Sequence, residues 1–99
     1  VKRDELDKTD FAVDAVIINS NWFNHRWDHF DEVNDDHRVA VLAEEFGELV
    51  LALAEKHDDP KEVELIAIGG IAINWLRHCS PQAVAEAMQI IEERHPGSE

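Results

Sequence analysis

Glu44, Glu45 and Glu48 fall in the run "VLAEEFGELVLALAEK", residues 41–56, among Val, Leu, Ala and Phe. Carboxylates in such company are costly to desolvate unless a positive charge sits between them. Glu45 and Glu48 are three residues apart, so on a helix both emerge on one side and can hold one cation or bracket two. Val41 and Ala52 project in nearly the same direction, one turn before and one turn after, and frame the pair with small and apolar neighbours. Glu64, in the next apolar run, shares a helical stripe with Ala67, Ile71 and Asn74. If the two runs are antiparallel helices, Glu64 faces Glu45 and Glu48. Three carboxylates plus water make a hard-cation site suited to Mg²⁺ or Mn²⁺. The plainer alternative is a solvated helix flank, the usual place for Glu.

These acids need rigid elements to aim them. Apolar residues recur at three and four positions, Pro and Gly sit mostly at boundaries, and no strand-like alternation occurs, so the spacing predicts an all-α chain of four helices. The first is expected from about Asp4 or Asp10 to Ile18, ended by "NSNWFN". The second starts at "NDDH", with Asp35 or Asp36 as cap, and carries the stripe Val39, Leu42, Phe46, Leu49, Val50 and Leu53 before stopping near "KHDDP". Asp59 and Pro60 start the third, which runs to about Cys79. Ser80 and Pro81 start a fourth that ends before Pro96 and Gly97. Within the third, "LIAIGGIAINWL" is apolar nearly all round, which places it at the centre of a bundle and at a subunit interface. Gly69 and Gly70 each cost about 1 kcal/mol in a helix relative to Ala, and close approach of a neighbouring helix would offset it.

The 99 residues suit one domain, 1–99, with a modest core that would gain from a partner, so a homo-oligomer is expected. Nine Lys plus Arg against 22 Asp plus Glu leave a formal charge of −13, which repels phosphate backbones and anionic lipid. Nucleic acid and membrane are therefore excluded as expected partners, and an anionic ligand would need bound cations or a few placed bases. The single Cys79 rules out an intramolecular disulfide framework and a Cys-rich zinc site. No stretch resembles a signal peptide or reaches the length of a membrane span, which makes the cytoplasm the expected compartment.

The segment "EEFGELVLALAEKHDDPKEVELIAIGGIAINWL" resembles the core of the MazG-type all-α nucleoside triphosphate pyrophosphohydrolases, whose pattern is E-x-x-E, a spacer, then E-x-x-D on two antiparallel helices. Glu45 and Glu48 match the first half, with Glu44 before them; fifteen residues separate Glu48 from Glu64, which matches the third acid. The upstream "HRWDHFDEV" is similar to the basic-plus-Trp segment of short phage- and integron-type members, so the likeness covers about residues 10 to 80. The fourth acid is replaced by Ala67, a loss that could remove one of two metal positions, weaken metal binding, or mark a chain that no longer catalyses.

The resemblance implies a four-helix bundle-like fold in a homodimer or homotetramer, and cleavage of a (d)NTP between its α and β phosphates to a (d)NMP and pyrophosphate. By the same analogy Glu45, Glu48 and Glu64 hold Mg²⁺ or Mn²⁺, and Glu44 or one of the ligands orients the attacking water. Phosphate contacts fall by position to Arg77, Lys56 and Lys61. Asn74 could hydrogen-bond sugar, base or metal-bound water, or be a buried amide bonded within the protein. Trp22, Phe23 and Trp27, with Asn24 and Arg26, offer a ring for a base and polar groups for its edge, or simply close the end of the bundle. The rival function is a catalytically degenerate MazG-like oligomeric binding or regulatory module, which Ala67 favours.

Other clusters carry less. His25 and His29 have a zinc-like spacing in a loop-like stretch with no obvious third ligand. Glu92 and His95 form a single E-x-x-H at an expected exposed helix end. Cys79 reads as a small buried side chain.

Overall fold

The computed structural model describes residues 3–27 and 34–96, with side chains from residue 7 onward. The described residues form four helices and no strand: α1 Arg3–Trp27, α2 Asp35–Leu53, α3 Lys61–Arg77 and α4 Pro81–Arg94. The fold is all-α, as the spacing predicts.

α1 runs well past Ile18, so "NSNWFN" does not end it. Asn and Ser break helices when their side chains compete for local backbone groups, and here Ser20 and Asn24 make bonds that leave the helix intact. Buried Ser20 donates its Oγ–H to the Ile17 carbonyl at 2.8 Å, a bond compatible with the helix. Asn24 accepts from Asn74 of α3 at 2.7 Å. Phe23 and Trp27 are buried, their rings 4.6 Å apart, so the continuation of α1 is held by packing. Trp22, Phe23, His25 and Arg26 therefore lie on a helix and not in a loop. His29 lies outside the described residues, as does Gly97 beyond the fourth helix.

The cap of α2 is Asn34, one residue before the expected Asp35 or Asp36; its side-chain oxygen accepts from the His37 amide at 3.0 Å. Asp35 and Asp36 occupy the first turn, where negative charge meets the positive end of the helix dipole. α2 ends in a reciprocal pair of bonds, Glu55 N–H to the Ala52 carbonyl at 3.1 Å and Lys56 N–H to the Leu51 carbonyl at 2.8 Å. This terminator needs a left-handed residue, normally Gly. Here it is Glu55, at φ 58°. Pro60 is the N-cap of α3, and Ser80 caps α4 by accepting from the Ala83 amide at 3.1 Å with Pro81 following it.

α3 lies between α1 and α2, its principal neighbours. Arg38 bonds to Asn74 while Glu48 meets Glu64, so α2 and α3 are antiparallel. Val16 lies against Gly69 and Asn24 against Asn74, so α1 and α3 are parallel. The two glycines are where α1 comes closest. A Cβ on Gly69 would stand 2.9 Å from Val16 Cγ1; one on Gly70 would overlap Asn19 Oδ1 and lie 3.1 Å from the Ser20 backbone nitrogen.

The buried hydrophobic residues are Phe23, Trp27 and Ile71, with Val41 and Leu42 packed against them. The expected apolar stripe of α2 is split: Leu42 packs on this core and Leu49 is half-buried, whereas Phe46 is 60 % and Leu53 63 % exposed, with Val39 and Val50 also open. The face α2 turns toward α3 is instead the mixed one, carrying Arg38, Val41, Glu45 and Glu48. α4 buries none of its residues. Cys79 is exposed, contrary to the burial expected of it, because it follows the last turn of α3 and only its Sγ–H reaches back, to the Trp75 carbonyl at 3.5 Å. No helix among the described residues is long and apolar enough to cross a membrane.

Candidate metal centre

Glu45 and Glu48 sit one turn apart near the end of α2, and Glu64 sits in the first turns of α3, so the antiparallel pair brings the three acids to the same end of the molecule. The turn between the helices adds a fourth group, His57. Ligand atoms of Glu48, His57 and Glu64 all lie within 4.8 Å of one another, a Glu/His/Glu set able to coordinate a metal ion.

Glu64 is 1 % exposed and its Oε2 has no hydrogen-bond partner. A buried carboxylate oxygen without a donor is costly, and its neighbours are acceptors too. Either a proton or a cation must lie between them. The titration behaviour shows the same tension. Burial, a hydrogen bond to Glu64 and the charges of Glu48 and Glu64 push Glu45 up from 4.5 to about 8. Glu48 is raised chiefly through its hydrogen bond with Glu64, then by burial and the Glu64 charge, against a lowering influence of His57 and Glu45. Crowded acids hold protons when no metal neutralises them.

The acids open on a cleft of about 680 Å³. Glu45, Glu48 and Glu64 line one side, and Asn19, Trp22 and Phe23 of α1 line another. Asn19 Oδ1 is buried without a hydrogen-bond partner, and Trp22 is about half exposed. Ala67 also lines the cleft, one turn along α3 from Glu64, where its methyl adds no ligand.

Several expected site residues stand elsewhere. Glu44 is exposed on the adjoining flank of α2. Asn74 is fully buried, its Oδ1 accepting from Arg38 Nε at 3.1 Å and its Nδ2–H donating to Asn24 Oδ1 at 2.7 Å. Ten residues of helix put it about 15 Å along α3 from Glu64, so this amide ties three helices together instead of facing the acids. Arg77 is one turn farther. Trp27 is in the core, between Phe23 and His37, with no face left for a base. Arg26 stacks on Trp22, its guanidinium carbon 5.2 Å from the ring centroid. Lys56 and Lys61 are exposed on the α2–α3 turn and the start of α3, Lys61 paired with Glu62 at 2.9 Å.

Sequence reasoning missed two residues. His57 had a signal: it lies in the short turn joining two helix ends that carry acids, so it must be near both. Arg38 had one as well, since it falls on the helical stripe of Val41, Glu45 and Glu48; it is 4 % exposed, a cation carried into the α2–α3 contact.

The site is defined by a helical pair with inward acids and a turn histidine, a class of metal-competent all-α module compatible with a MazG-like architecture. Compared with known families, curated proteins and solved structures, the chain matches none.

Proposed function

We propose that the chain is a divalent-metal-dependent nucleotide pyrophosphohydrolase of MazG type, converting a (d)NTP to a (d)NMP and pyrophosphate. The observation that carries this reading is the buried Glu64, its Oε2 without a hydrogen-bond partner, set against Glu45 and Glu48 beside an open cleft. These three residues would hold Mg²⁺ or Mn²⁺, with His57 adjoining. A bound dication supplies the positive charge that lets a triphosphate lie among acids, and the activation of water that hydrolysis requires.

The chain's own groups do the rest. Trp22 offers a ring on which a base can stack, steadied by Arg26. Lys56 and Lys61, exposed on the turn and at the start of α3, would reach toward phosphates from outside the cleft, Lys61 by leaving Glu62. Val63 and Ile66 add an apolar wall to the cleft.

The proposed assembly is a homodimer or a dimer of dimers. Its support is the open patch of Val39, Phe46, Val50 and Leu53 on α2.

A second reading, a catalytically degenerate oligomeric module, is favoured by Ala67, which leaves the cluster one carboxylate short. Pyrophosphate release from a panel of (d)NTPs with Mg²⁺ or Mn²⁺ separates the two. Turnover is expected. No turnover, with a metal-induced rise in melting temperature retained, would leave the degenerate module; loss of both would sink the metal reading itself.

A further inference from the structure

Resting on the metal reading above, we propose that His57 is a nitrogen ligand of this centre, standing in for the carboxylate missing at Ala67, and that the centre takes a first-row transition dication, Mn²⁺ or Co²⁺, in preference to Mg²⁺. His57 Nδ1 stands 3.9 Å from Glu64 Oε1. That contact is not a hydrogen bond, because Nδ1 already accepts from the Asp59 amide at 3.1 Å and so carries a lone pair instead of a proton. The Nδ1 lone pair is held by the Asp59 N–H, so it turns to an ion between His57 and Glu64 by giving up that one exposed bond. Ligand atoms bound about 2.1 Å from one ion lie about 3 to 4.2 Å apart, so the gap is the width that a shared cation needs.

The exposed Asp59 amide that Nδ1 now satisfies passes to water when an ion takes its place. His57 sits in the short turn between left-handed Glu55, which ends α2, and Pro60, which caps α3. The other oxygen of Glu64, donorless in the core, gives the ion a second reason to sit there.

Ligand type then decides the metal. Mg²⁺ favours all-oxygen, octahedral sets, whereas imidazole suits the transition dications, whose affinity for such sites rises from Mn²⁺ through Co²⁺. With Ala67 in the fourth acid's place and His57 facing Glu64, the donor set shifts from oxygen only to mixed oxygen and nitrogen.

The test uses nucleotide-free protein with Mn²⁺, Co²⁺ or Mg²⁺ alone. Calorimetric titration should show wild type binding Mn²⁺ and Co²⁺ more tightly than Mg²⁺. His57→Gln should weaken Mn²⁺ and Co²⁺ on the order of tenfold or more and Mg²⁺ much less, and His57→Asp should narrow the Mn²⁺ to Mg²⁺ ratio. Pulsed EPR of the Mn²⁺ form should show imidazole nitrogen coupling that disappears in His57→Gln. Tight Mn²⁺ binding with no nitrogen coupling, or a ratio unchanged in His57→Gln, overturns the role of His57 and leaves the carboxylate site standing. Absence of any dication binding by wild type overturns both.

Discussion

Glu45 is the residue at which the strain of the metal-free site can be measured. Its folded pKa of about 8 stands above the 4.5 of the unfolded chain, so the folded state favours the protonated acid. That contribution to stability is complete below about pH 4.5 and is lost as pH rises to about 8. Metal-free protein should therefore show a melting temperature that falls across this window, and Glu45→Gln, which cannot ionise, should flatten the fall. Mn²⁺ at pH 8 should restore what the missing proton took away. A melting temperature that rises with pH in the absence of metal would place Glu45 outside the crowded cluster. The acids were legible in the sequence because carboxylates at helical spacing among apolar residues demand compensation. Asn74 was not, because an amide on a core stripe serves a ligand or a neighbour equally well until the neighbours, Arg38 and Asn24, are known.

At the scale of the elements, the α1–α3 contact depends on two missing side chains. Gly70→Ala should cost about 1–3 kcal/mol, since the new Cβ meets the backbone of Ser20 as well as Asn19. Gly69→Ala should cost less because only the methyl groups of Val16 must move. Denaturant midpoints measure both, and equal costs would contradict the close approach at Gly70. The end of α2 runs the other way: Glu55→Gly should stabilise by roughly 0.5–1 kcal/mol, because Gly adopts the left-handed conformation without a Cβ clash. Unchanged or lower stability would mean that Glu55 is not strained. Helix starts at Asn34, Pro60 and Ser80 were readable to within a residue from capping chemistry. The length of α1 was not, because "NSNWFN" ends a helix on local grounds and only the tertiary partners of Ser20, Phe23, Asn24 and Trp27 override them.

For the whole molecule, one inconsistency in the sequence becomes its clearest message. Val39, Phe46, Val50 and Leu53 of the strongest apolar stripe of α2 are left open, while the mixed face with Glu45 and Glu48 goes inward to build the site. An open apolar face of this size is the surface on which the proposed second copy would dock. With a second copy as the proposed occupant, Phe46→Lys should shift the protein toward monomer in light scattering, each buried large side chain contributing roughly 1.5–3 kcal/mol to association. A wild type already monomeric at micromolar concentration, unchanged by Phe46→Lys, would contradict it. Periodicity located this stripe, yet periodicity alone cannot say whether its partner is the same chain or another.

The most direct measurement is a crystal soaked in Mn²⁺ and examined by anomalous scattering. A single strong peak should lie about 2.1 Å from carboxylate oxygens of Glu48 and Glu64, within reach of Glu45 and His57. A peak elsewhere, or none at millimolar Mn²⁺ with these acids still clustered, would mean that the inward carboxylates hold protons and not a metal.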